Sequence, residues 1–291
     1  MSAAELTTWE VGRDAQSPRA VLGGRLIASE ILMVLRRRRN QLILLVLIAI
    51  PIIIGVAVKL TTDPGRNAND GLLGGITNNG IFVAFMAIVV VIPFFLPLAV
   101  SIVAGETVAG EANTGTLRYL LAVPVGRTRL LLTKFIALAF WCLTITIAVA
   151  LAGVAIGFAL FPAGDVTLLS GTQTSLTGGI GRLAVVVGYA SLMMLAMAAI
   201  GLFISTLTEV PVAAMAATLV FAIIMQVLDA VPQLRSIHSW LLSDYLLKFD
   251  PALRDPFRIG DMATGMWVAS AYVAIFWLLA WARFTTKDVS S

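Results

Sequence analysis

Charge is scarce in this sequence. Asp, Glu, Lys and Arg make up only 12 % of its 291 residues, where a soluble domain carries about 25 %. Hydrophobic residues make up 59 %, and the mean hydropathy is +0.96. That balance excludes an ordinary soluble domain and points to an all-α polytopic membrane protein. Cysteine is limited to Cys142, inside an apolar run, so no disulfide closes within the chain and a packing role is expected. Histidine is limited to His238, far along the chain from Cys142, which makes a Cys–His dyad implausible and leaves no metal-ligand spacing. No HExxH occurs, and no Gly-Lys pair that a phosphate-binding P-loop would need, so the chain is not its own ATPase by that route. The first 40 residues lack the order of basic start, apolar stretch and small-residue cleavage site. The first span, with the basic cluster before it, is expected to act as the insertion signal.

What is present is a set of long apolar runs. A helix needs about 20 such residues to cross ~30 Å of hydrocarbon. Six runs qualify: Leu42–Leu60, Ile81–Ala104, Phe135–Phe161, Leu183–Leu207, Val210–Val231 and Met262–Phe284. Pro51 in the first run, and Pro93 and Pro97 in the second, predict kinks. Only Thr208 and Glu209 separate the fourth from the fifth, which predicts a tight helical hairpin. Lys and Arg set the orientation. Arg36 to Arg39 precede span one, Arg118, Arg127, Arg129 and Lys134 follow span two, and Arg283 and Lys287 mark the C-terminal tail. The alternate loops are poorer in bases, or dilute them with aspartates as residues 232–261 do. Both termini are therefore expected in the cytoplasm. The +4 net charge reads as a topology signal and not as a nucleic-acid patch.

The expected organisation is a flexible tail over residues 1–20, an amphipathic helix over 21–40 and a six-span domain over 41–288. Leu22, Leu26, Ile27, Ile31, Val34 and Leu35 give the amphipathic helix one apolar stripe, with Arg25 and Glu30 off it. That pattern suits a helix in the cytoplasmic interface, or one packed on a partner. The external loop, 232–261, is expected to form short helices near the headgroups, with Trp240 and Tyr245 at that level.

Spans one to five carry ionisable groups only near their edges, at Lys59, Glu209 and Asp229. A charge at mid-membrane costs at least ~2.5–3.5 kcal/mol on insertion scales, so a retained one marks an ion or proton path. Its absence argues against a proton-coupled transporter, an ion pump or an intramembrane aspartyl protease. Thr144, Thr146, Ser191 and Thr218 have no partnering Lys or His nearby in sequence and read as packing residues. Gly153 and Gly157 form a GxxxG pattern, which allows close helix approach within the subunit or at a dimer seam. If this chain transports, another chain supplies the energy.

One long polar stretch interrupts the apolar runs: GETVAGEANTGTLRYLLAVPVGRTRLLLTK, residues 105–134. Glu106 to Ala112 can continue span two as a helix, and Asn113-Thr114-Gly115 breaks it. Thr116 can cap a short new helix, LRYLLA, ending near Pro124. Leu117, Leu120 and Leu121 give that helix an apolar edge beside Arg118, and Arg127, Arg129 and Lys134 are expected at headgroup level.

This loop resembles that of the membrane permeases of type-2 ATP-binding-cassette (ABC) exporters. Their cytoplasmic loop has a Glu, then Gly-Thr-Leu, an apolar pair, a Pro, an Arg and a Lys opening span three. Here these are Glu106 or Glu111, Gly115-Thr116-Leu117, Leu120-Leu121, Pro124, Arg127 and Lys134. VAGEAN stands where the family often has a base, so both glutamates remain candidates for the family Glu. The resemblance extends over roughly residues 20–288. It implies a coupling helix gripped by a separate nucleotide-binding ATPase subunit, which binds ATP and Mg; this chain holds no cofactor and no metal. Two ATPase copies and a second permease, identical or not, complete the transporter in a bacterial plasma membrane. The resemblance implies export; the uncharged spans favour a hydrophobic or amphipathic cargo such as a lipid, peptide or drug. Leu117, Leu120 and Leu121 would enter the ATPase cleft, with Arg118 and a glutamate at its rim, unless the leucines pack on the protein's own spans. The competing reading is a polytopic enzyme acting on lipid, or a non-transporting sensor or scaffold. It would use the external loop, with His238, Asp244, Asp250, Asp255 and Asp261.

Overall fold

The computed structural model describes residues 21–61, 79–115, 126–168, 170–255 and 260–286. The tail 1–20 and the expected short helix with Thr116, Leu117, Arg118, Leu120, Leu121 and Pro124 lie outside the described residues. The described residues are mostly helical. Helix α1 spans Val21–Arg36, α2 Arg38–Thr61, α3 Ile81–Val91, α4 Phe95–Asn113 and α5 Arg127–Leu160. A two-stranded antiparallel hairpin follows, β1 Val166–Thr167 and β2 Gln173–Thr174. Then come α6 Leu176–Leu207, α7 Pro211–Asp229, the single turns α8 Arg235–His238 and α9 Leu242–Tyr245, and α10 Gly260–Thr286.

Six of these helices are long and apolar enough to cross a bilayer: α2, α4, α5, α6, α7 and α10. This is an all-α polytopic membrane protein. The expected second span is two helices and not one kinked rod. Pro93 has no N–H to donate and its ring crowds the preceding turn. The chain breaks over Ile92–Phe94, and Gln226 of α7 donates its side-chain amide to the freed Pro93 carbonyl. Pro97 falls in the first turn of α4, where proline is tolerated, and does not interrupt it. Pro51 lies within α2, which continues through it. At 11 residues α3 rises only about 16 Å. It compensates by being enclosed: Ile81 to Phe85, Ala87, Ile88 and Val91 are all buried.

Helix α6 forms the centre, packed on α10, α4, α5 and α7. In its most apolar stretch 67 % of residues are buried, against 17 % in α10 and 22 % in α2 and α7. The outer helices turn Leu42, Leu45, Ile53, Val212, Val220, Trp267 and Leu278 outward. An apolar exterior is what a hydrocarbon solvent demands. Thr144, Thr146, Ser191 and Thr218 each donate to the carbonyl four residues earlier, so their hydroxyls are satisfied within their own helices.

Gly153 and Gly157 pack within the subunit. A Cβ at Gly153 would fall 2.5 Å from Ala84 Cα, and one at Gly157 would collide with the Gly80 carbonyl. Helices α3 and α5 thus meet backbone to backbone. Asn79 sets this junction: its Oδ1 accepts from Ile81 N (3.0 Å) and its Nδ2 donates to Gly164 O (2.8 Å).

Both described chain ends, Val21 and Thr286, lie at one end of the bundle, hereafter the base. The starts of α2 and α5, the end of α4 and the α6–α7 turn lie there too. At the far end, the loop after α5 is ordered as the hairpin, turning at Gly171 (φ +80°), and α6 begins with Ser175 as its cap. Tyr245 does not sit at an outer surface. It is 5 % exposed, and Tyr189 donates to its carbonyl (2.6 Å), whereas Trp240 is 75 % exposed.

Candidate functional site

The base carries the most concentrated polar chemistry of the described residues, and local sequence sets its parts. Leu26, Ile27, Glu30, Ile31, Val34 and Leu35 recur at helical spacing, so they share one face of α1. That face is half-buried, and α1 packs along α5. Glu30 therefore lies within the apolar stripe and points inward; the expectation that it stood off the stripe is corrected. Asn40 Nδ2 donates to Val34 O (2.7 Å) and fixes the elbow between α1 and α2.

Helix α5 begins at Arg127, about two turns before the apolar run. Lys134 thereby falls inside the helix under α1, only 2 % exposed. It does not stand at a solvated headgroup level. Its ammonium pairs with Glu111 of α4, and Glu30 lies 3.6 Å away. One turn and a half earlier on α4, Glu106 pairs with Arg37 (2.7 Å) and with Arg39. The two glutamates thus have different partners. Glu106 ties α4 to the start of α2, and Glu111 ties α4 to α5 and, through Lys134, to α1. A small cavity of about 40 Å³ lies among Glu30, Arg37, Glu106, Glu111 and Lys134, room for about one water-sized group.

Helix α4 is held on its other side as well. Ser205 of α6 donates to Gly105 O (2.7 Å) and accepts from Val108 N (3.0 Å) and Ala109 N (2.9 Å). The hydroxyl is fully buried and enters the α4 hydrogen-bond ladder beside Glu106. A Cβ at Gly105 would fall 2.6 Å from Met215 N, so α4 and α7 touch through their backbones. At the start of α5, Arg127 donates to Thr285 O (2.8 Å) and Trp281 Nε1 to Thr128 Oγ1 (2.9 Å), which clasps the end of α10.

The result is a collar. It grips the helix entering segment 116–125 and the helix leaving it, and fastens both to α1, α2, α6 and α10. Helix α4 ends at Asn113, as the Asn-Thr-Gly sequence predicts, and Gly115 takes a positive φ of 69°. Of the residues read from sequence as a site, Glu106 and Glu111 belong to the collar. Gly153 and Gly157 lie towards the far end and take no part in it. Sequence reasoning missed Glu30, Arg37, Arg39 and Ser205. The signal for Glu30 was available, because an acid centred in an apolar stripe needs a buried cation.

The collar holds cations opposite carboxylates and gathers no nucleophile with a base. Among the described side chains of the external loop, Asp244 pairs with Lys248, Asp250 with Arg254 (2.9 Å) and Asp255 with Arg182 (3.4 Å), and the Asp261 side chain lies outside the described residues. Asp229 lies 3.8 Å from His238. Among the described residues no three His, Cys, Asp or Glu side chains gather as a metal site.

Residues 66–290 match a family described as protein of unknown function (DUF2705). No curated protein matches the chain.

Proposed function

This chain belongs to the DUF2705 family of proteins of unknown function; from the bundle and its collar we propose that it is the membrane-spanning permease subunit of an ABC exporter. A separate nucleotide-binding subunit drives it. The observation that carries the reading is the collar. Segment 116–125 joins two helices that ion pairs fasten to α1 and α2. A push on that segment reaches several helices at once and is not lost in one loose end. The Gly-Thr-Leu, Leu-Leu and Pro of the segment stand where the exporter family places its coupling helix. On this reading Leu117, Leu120 and Leu121 enter the ATPase cleft, with Thr116 capping the helix and Arg118 at the rim. Glu106 and Glu111 brace the helix from within the permease. The base faces the cytoplasm, because Arg36 to Arg39, Arg127, Arg129 and Arg283 gather there. Two permeases and two ATPase subunits complete the transporter, and ATP and Mg bind to the ATPase. The cargo is hydrophobic or amphipathic, and passes between the permeases.

The purified chain is expected to hydrolyse no ATP alone, and a co-expressed P-loop ATPase subunit is expected to copurify with it. Replacing Leu117 and Leu121 together by serine changes no residue of the collar. That variant should accumulate normally and keep its thermal stability, yet lose the ATPase on purification. Retention of the ATPase by the variant contradicts docking at this segment.

A further inference from the structure

We propose that the groove between α2 and α4 holds one acyl chain of an anionic phospholipid, with its phosphate on the arginine run at the mouth. The groove measures about 230 Å³, far more than the ~30 Å³ share of one water. Leu42, Val46 and Leu47 of α2 and Phe95 and Ile102 of α4 line it. Leu42 and Val46 are 63 % and 53 % exposed while Leu47 is 2 % exposed, so the groove opens on the flank of the bundle over a closed floor. Arg39 is the charged residue among its lining, and it stands at the base.

Two observations make the mouth an anion site. Arg39 sends Nη2 to Glu106, but its Nε is buried with no hydrogen-bond partner. The run Arg36 to Arg39 gathers four positive charges, of which Arg37 and Arg39 pair with Glu106. Arg36 and Arg38 are exposed and, among the described residues, make no ion pair. A lipid chain lying in the groove brings its headgroup to that depth, where guanidinium groups match phosphate oxygens two at a time. The apolar walls select the chain and the surplus charge selects an anionic head. A free anion answers only the mouth, and a zwitterionic lipid brings a choline cation to the mouth beside its phosphate. This inference rests on the membrane bundle alone and is independent of the permease reading.

The test is native mass spectrometry of the full chain in detergent, titrated with phosphatidylglycerol and with phosphatidylcholine of equal chain length. Phosphatidylglycerol should bind more tightly. Changing Arg36 and Arg38 to Gln should weaken phosphatidylglycerol, roughly fivefold for each arginine removed, and phosphatidylcholine less. Val46→Trp, at an exposed position, should reduce retention of both lipids while circular dichroism shows unchanged helix content. Equal affinity for the two lipids overturns the proposal, as does undiminished binding to Val46→Trp. Displacement by inorganic phosphate at lipid-like concentration would reduce the site to its mouth and also overturn it. So would efficient disulfide-linked dimers of Val46→Cys in the membrane, since a second copy would then occupy the groove.

Discussion

Replacing Lys134 with methionine is expected to destabilise the bundle by about 3–5 kcal/mol, the range for breaking a buried ion pair from one side. The lysine is 2 % exposed, and its removal leaves Glu30 and Glu111 facing each other across its former place. The loss comes chiefly from the stranded carboxylates, not from the missing attraction. A second change should therefore reverse much of it. Lys134→Met with Glu111→Gln also neutralises the carboxylate that Lys134 contacts, and neutral replacement of buried pairs is often tolerated. Thermal unfolding of the detergent-solubilised protein measures both. The single variant should melt well below wild type and the double variant between them. Equal melting of Lys134→Met and wild type would mean that Lys134 is solvated and the collar does not hold.

A leucine at Gly157 should cost at or above the upper end of the ~1–3 kcal/mol typical of an overpacked core. The added Cβ meets the Gly80 carbonyl, which is backbone. Gly80 has no room to retreat, because its N–H donates to Pro162 O (3.0 Å) and the preceding Asn79 holds Gly164. Helices α3 and α5 would have to part, and α3 depends on that contact to stay enclosed. Poor accumulation in the membrane, or a large fall in melting temperature, is the expected result. Gly181→Ala on α6 is the control. Nothing lies within 4 Å of a Cβ there, and alanine favours helix over glycine by about 0.5–1 kcal/mol. If Gly157→Leu behaved like the control, the close approach of α3 and α5 would be wrong.

The spans were legible because lipid leaves helices few alternatives. A run such as Leu183–Leu207 has to be helical wherever it packs, and α6 contains it whole. The hairpin between α6 and α7 was legible because Pro211 cannot continue α6 and suits the first turn of a new helix, where α7 begins. What escaped the sequence depends on contacts between distant residues. Pro93 was visible as a kink and not as a break, and its partner Gln226 is 133 positions away. Gly157 was visible as a small residue, but its partner Gly80 precedes the apolar run of span two. In the candidate site the two glutamates were visible and their roles were not. Glu111 and Lys134 are 23 positions apart, and only the packing of α1 on α5 buries them together. Ser205 looks like any serine in a membrane helix until α4 is laid against it.

Photo-crosslinking in intact cells tests the central claim most directly. A crosslinking amino acid is placed at residue 117, in the segment between α4 and α5, and in a second strain at residue 171, in the far-end hairpin. The account predicts an adduct with a P-loop ATPase subunit from residue 117 and none from residue 171. An adduct from residue 171, or none from residue 117 in cells that express the ATPase, would contradict it.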